Sequence, residues 1–101
     1  MSSVLVSAAS GPESAAASLA WFSLRARAEP GVMPRVLELF AKRGLVPDKW
    51  HSLTGGADNR MLTIDVQIGG LEDHTVEYVA NCMRGIAGVE AVVTAEAHPA
   101  G

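Results

Sequence analysis

Ala28-Glu29-Pro30-Gly31-Val32-Met33-Pro34-Arg35-Val36-Leu37-Glu38-Leu39-Phe40-Ala41-Lys42-Arg43-Gly44 reads as a strand end, a tight turn, an amphipathic helix and a stop. Pro30-Gly31 is turn chemistry, since proline pre-sets φ and glycine tolerates angles that other residues avoid. Met33, Val36, Leu37 and Phe40 then recur at three- and four-residue spacing, which places them on one helix face. Pro34 falls in the first turn, where its missing N–H removes no internal hydrogen bond. Lys42 and Arg43 fall in the last turn, against the negative end of the helix dipole. Gly44 supplies a left-handed cap.

Upstream, Leu19 to Ala28 alternates: Phe22, Leu24, Ala26 and Ala28 on one side, Trp21, Ser23, Arg25 and Arg27 on the other. That is a strand with one buried face. Downstream, Val46 to Thr54 is extended and introduced by Pro47, which suits an edge strand because proline donates nothing to a ladder. Thr54-Gly55-Gly56-Ala57-Asp58-Asn59-Arg60 reads as a hairpin loop with a solvated tip. Met61 to Ile68 alternates cleanly and ends at Gly69-Gly70. Glu72 and Asp73 open a second helix with Val76, Val79, Ala80 and Met83 as its apolar stripe, closed by Arg84-Gly85. Val89 to Glu96 alternates again, with Val89, Ala91, Val93 and Ala95 opposing Glu90, Val92, Thr94 and Glu96. The order β-α-β-β-α-β predicts an α+β, ferredoxin-like sandwich: a four-stranded antiparallel sheet with both helices on one face. The expected organisation is a flexible tail over 1–19, one folded domain over 20–96 and a fraying tail over 97–101.

The composition narrows the function. At 101 residues the chain supports one modest core, and 49% of it is apolar, much of that alanine. A net charge of −3 argues against a nucleic-acid module, which needs a basic field. A lone cysteine excludes an internal disulfide or a cysteine-rich metal cluster. No stretch approaches the roughly 18 apolar residues of a membrane span. The first residues lack the basic start and apolar middle of a secretory signal, so a cytoplasmic location is the default expectation.

No catalytic constellation emerges. His51, His74, His98 and Cys82 are scattered, without ligand spacing or a paired base, so neither a metal, a cofactor nor a nucleophile is expected. Two regions remain. Lys49, Trp50, His51 and Leu53 on an edge strand suggest an interface, and from it a homodimer, because an unpaired ladder with large side chains invites pairing. The turn Ala28-Glu29-Pro30-Gly31-Val32-Met33 opens a helix whose first N–H groups attract a carboxylate, with Gly31 allowing close approach. An amino-acid ligand would suit it.

Residues 28–45 resemble the first turn and helix of ACT domains, closest to the small regulatory subunit of acetolactate (acetohydroxyacid) synthase. The residues carrying this are Pro30-Gly31-Val32, Arg35-Val36, Leu39-Phe40 and Arg43-Gly44. The resemblance, over about 20–96, implies side-by-side pairing of domains and an amino-acid effector bound at the domain interface near the first turn. It also implies a thiamine-diphosphate-dependent catalytic subunit as partner, activated by this chain. Family members commonly carry Asn where this chain has Ala28, and many carry a second domain; the departures resemble the short, feedback-insensitive type. Activation of a partner is therefore expected, with only weak valine binding. Two other classes are a free-standing amino-acid sensor and an acylphosphatase-like hydrolase. The hydrolase would need a phosphate-cradling arginine loop where Glu29 stands.

Overall fold

In the computed structural model, which describes residues 18–98, the elements follow the expected order. They are β1 (Leu19–Arg27), α1 (Val32–Lys42), β2 (Lys49–Gly55), a 3-10 turn (Ala57–Asn59), β3 (Met61–Gly69), α2 (Asp73–Arg84) and β4 (Val89–Ala97). The strands form one antiparallel sheet in the order β2-β3-β1-β4, so β2 and β4 are its edges. This is the ferredoxin-like arrangement. The expected tails fall mostly outside the described residues, but Leu19 opens β1 and Ala97 closes β4. Ser18 Oγ also donates to the Leu71 carbonyl at 3.0 Å.

Strand alternation sets the core. Ala20, Phe22, Leu24 and Ala26 of β1 and Leu62, Ile64, Val66 and Ile68 of β3 share the buried face, under both helices. Ala28, expected on that face, lies beyond the end of β1 and is exposed. The α2 stripe is buried as its spacing predicts: Val76, Val79, Ala80 and Met83. On α1 the buried line is Val32, Val36 and Phe40, and Phe40 meets Phe22 edge to face with centroids 6.1 Å apart. Met33 and Leu37, expected on the buried face, sit on its shoulder, Leu37 with 45% of its surface exposed. The helix begins at Val32, directly after the turn, so a strict four-residue ladder from that position takes the core-facing line.

β4 departs from simple alternation. Arg25 pairs with Ala91 but Ala26 pairs with Val89, so Glu90 is an extra residue in a bulge. The bulge shifts the phase by one. Val89 and Val92 both turn toward the core, while Val93 is left 65% exposed on the helix-free face beside Ser23.

The end of α1 follows the sequence. Gly44 has φ +68°, its N–H donates to the Ala41 carbonyl at 3.0 Å, and the Leu45 N–H donates to the Phe40 carbonyl at 2.9 Å. Those two bonds form a Schellman cap. Arg43 does more than complement the dipole. It donates to the Leu39 carbonyl at 3.0 Å and to the Tyr78 hydroxyl at 2.9 Å, tying α1 to α2.

Candidate functional site

Three segments meet where β1 ends. The Arg27 N–H donates to the Gly88 carbonyl at 2.9 Å, and the Ala28 N–H donates to the Arg60 carbonyl at 2.8 Å. The turn before α1 is thereby held between the α2–β4 loop and the β2–β3 loop. Within it, the Val32 N–H donates to the Glu29 carbonyl at 3.1 Å and starts the helix. Gly88, which sequence reading passed over, backs this turn. Its φ is +98°, and a Cβ there would lie 3.0 Å from Val32 Cγ2 and 3.1 Å from Glu29 Oε1.

Two concavities adjoin at Ala28 and Glu29. A cleft of about 420 Å³ is lined by Arg27, Ala28, Glu29, Asp58, Asn59 and Arg60. A groove of about 210 Å³ is lined by Ala28, Glu29, Pro30, Met33, Thr54 and Leu62. Asp58 and Asn59 are both left-handed, with φ of 59° and 54°. Asp and Asn bear this conformation better than other non-glycine residues because their short polar side chains bond locally. The loop expected to be a solvated hairpin tip is thus one wall of the cleft. Its Gly55-Gly56 and Asp58-Asn59 announced a turn, but nothing in their spacing told that it folds back onto Ala28.

Of the six turn residues expected to bind a ligand, Ala28, Glu29, Pro30 and Met33 line these concavities. Val32 does not, being wholly buried in the core. Gly31 also differs from expectation. Its φ of −81° and ψ of −8° are open to any residue, so no special backbone freedom is used there. What a Cβ would meet is the Arg35 guanidinium, at 2.8 Å from Nη1, and that side chain is flexible. The first turn of α1 carries no acidic residue. Arg35 therefore adds positive charge to the positive end of the helix. Arg27 Nε lies 3.3 Å from Glu29 Oε2, a pair with both side chains at least half exposed. Solvent screens such a pair to about 1 kcal/mol or less.

The expected interface residues divide between two faces. Lys49, His51 and Leu53 pair with Gln67, Asp65 and Thr63 and lie on the helix-free face of β2. Lys49 and His51 join Trp21, Asp65 and Gln67 around a depression of about 140 Å³. Trp50 turns the other way, half-buried against the core, because side chains alternate along a strand.

One further cluster was hidden by sequence separation. Asp73 at the start of α2 and Glu96 and His98 at the end of β4 bring one potential ligand atom each within 4.8 Å of one another, all exposed. The Glu96 carboxyl is raised above its ordinary value, first by a hydrogen bond with Asp73, then by burial and the Asp73 charge, with His98 opposing. Cys82 is half-buried, with the Arg43 guanidinium 3.8 Å from its sulfur. Among the described residues no helix is long and apolar enough to cross a membrane.

The sequence model of the ACT-like domain matches residues 13–100. The chain belongs to the ACT-like domain family. Such domains are regulatory modules that bind small molecules. No curated protein matches this ACT-like chain in sequence. Solved structures do resemble it. The ACT domain of GTP pyrophosphokinase from Chlorobium tepidum is 14% identical with a TM-score of 0.63, over 78% of this chain and 86% of that one. An uncharacterised protein from Thermotoga maritima is 14% identical with a TM-score of 0.64, over 79% and 96%. The regulatory subunit of aspartate kinase from Thermus flavus is 15% identical with a TM-score of 0.56, over 78% of this chain and 54% of that one. At such identities these likenesses show the fold alone.

Proposed function

We propose that this ACT-like domain is a non-catalytic regulatory subunit that activates a thiamine-diphosphate-dependent catalytic subunit of the acetolactate synthase type, and that it pairs with itself through β2. The observation that carries the reading is the position of β2. Among the described residues it is an edge of the sheet that bears Lys49, His51 and Leu53, and its own Thr54 lines the groove beside the α1 turn. A ligand in the groove and a partner on the edge would therefore touch the same strand, which gives the two binding events a shared element through which to couple. The resemblance of residues 28–45 to the synthase small subunit supports the choice of partner.

A second reading is a free-standing amino-acid sensor without a synthase partner. It is favoured by the turn before α1, where Ala28, Glu29, Pro30 and Met33 line concavities beside the helix start.

Sedimentation tests both parts of the proposal. The purified chain at micromolar concentration is expected at twice its monomer mass, and Leu53→Lys, which adds an edge lysine at an exposed position, is expected to shift it toward monomer. With the synthase catalytic subunit from the same source added, a heavier complex containing both chains is expected. Monomer throughout would overturn the pairing, and independent sedimentation of the two proteins would overturn the partnership.

A further inference from the structure

We infer that Asp73, Glu96 and His98 form a site for a divalent first-row metal ion of the zinc kind, one that clips the start of α2 to the end of β4. The site lies at the start of β1, the opposite end of that strand from the α1 turn, and is independent of the regulatory reading.

Strand geometry brings two of the three groups together. Ala20 is buried under the helices and pairs with Glu96, so Glu96 also points to the helix-bearing side of the sheet. His98 follows two residues later, a spacing that returns an extended chain to the same face. Asp73 meets them from the first residue of α2. The loop before α2 is itself tied to the start of β1, where the Gly70 N–H donates to the Ser18 carbonyl at 2.9 Å. Backbone bonds therefore place Asp73 and Glu96 before any ion arrives. Sequence spacing carries no sign of the cluster, because its third member comes from a separate element.

The distances suit an ion better than a hydrogen bond to the imidazole. His98 Nε2 lies 3.6 Å from Asp73 Oδ1 and 3.7 Å from Glu96 Oε1. Both exceed the roughly 3.2 Å limit of an N–H···O bond, so the imidazole stands between two carboxyls and bonds to neither. Ligand atoms about 2.0–2.1 Å from a tetrahedral zinc ion stand roughly 3.3–3.4 Å apart, and small side-chain rotations close that difference. Charge points the same way. Among the described residues no Lys or Arg pairs with Asp73 or Glu96, so one imidazole faces two carboxylates. A divalent cation balances both and takes the neutral imidazole as its third donor. That imidazole also selects the ion, since Mg²⁺ and Ca²⁺ prefer oxygen ligands alone. All three residues are exposed, so a fourth position stays open to water.

Calorimetry of the untagged full chain with zinc chloride tests the inference, with magnesium and calcium chloride as comparison ions. One Zn²⁺ is expected to bind per chain at micromolar concentration, and neither Mg²⁺ nor Ca²⁺ in excess is expected to displace it. Loss of a group that merely orients a metal ligand weakens binding about 10–100-fold. His98→Gln and Asp73→Asn remove ligands outright, so each is expected to weaken Zn²⁺ by about tenfold or more. His74→Gln is the control and is expected to bind as the unmodified chain does, because His74 adjoins Asp73 in sequence but faces Glu72 at 3.3 Å. Zinc is also expected to raise the thermal midpoint of the unmodified chain and not that of His98→Gln. Absence of Zn²⁺ binding, a midpoint indifferent to zinc, equal losses in all three variants, binding indifferent to both ligand substitutions, or Mg²⁺ bound as tightly as Zn²⁺ would each overturn the inference.

Discussion

Phe40→Ala is expected to lower the stability of this domain by about 3–5 kcal/mol, the range for deleting a fully buried aromatic side chain. Small domains hold only about 5–15 kcal/mol in total, so much of the protein's margin would go. Phe40 is 1% exposed, packs edge to face on Phe22, and sits under the Schellman cap that its own carbonyl helps to form. Truncation removes buried area, leaves a cavity and loosens the last turn of α1 together. Leu37→Ala is the contrasting variant. With 45% of its surface already in water, Leu37 is expected to cost about 1 kcal/mol or less. Denaturant midpoints at unchanged slope check both. Equal losses would mean that the helix buries the face expected from spacing rather than the Val32-Val36-Phe40 line.

Gly88→Val is expected to cost about 2–6 kcal/mol by two additive routes. A β-branched residue at φ +98° occupies sparsely populated backbone space, at about 1–3 kcal/mol. Its Cβ also enters a space already bounded by Val32 Cγ2 at 3.0 Å and Glu29 Oε1 at 3.1 Å, and overpacking of that kind costs about 1–3 kcal/mol. At roughly 4–8 °C per kcal/mol for a domain of this size, the thermal midpoint should fall by tens of degrees at the upper end. Gly85 opens the same loop and serves as the control. Its φ of −84° suits any residue and the nearest atom to a new Cβ is 3.5 Å away, so Gly85→Ala should leave the midpoint nearly unchanged. Similar effects at both glycines would show that the loop does not brace the α1 turn.

Element order was legible because each period agreed with its punctuation: Gly44 stops α1, Gly69-Gly70 stops β3 and Arg84-Gly85 stops α2. Where the reading slipped, the cause was tertiary. Alternation in β4 has two phases joined by the bulge at Glu90, and a two-residue period carries no mark of an inserted residue. Val32 entered the core as the first rung of the Val32-Val36-Phe40 ladder, because the turn starts the helix at that residue and so turns this line rather than Met33-Leu37 toward the sheet. The candidate site was half visible. Turn chemistry pointed to Ala28, Glu29, Pro30 and Met33, which fall within one short stretch of sequence. Asp58, Asn59, Arg60 and Gly88 reach the same place only through the hydrogen bonds of Ala28 to Arg60 and of Arg27 to Gly88, which no local pattern encodes.

Regulation of a synthase is tested most directly by the rate of acetolactate formation. The catalytic subunit from the same source is assayed alone and with this chain added to saturation. The rate is expected to rise several-fold with the unmodified chain and less with Leu53→Lys. An unchanged rate at saturation, with both proteins folded, would contradict the proposed function.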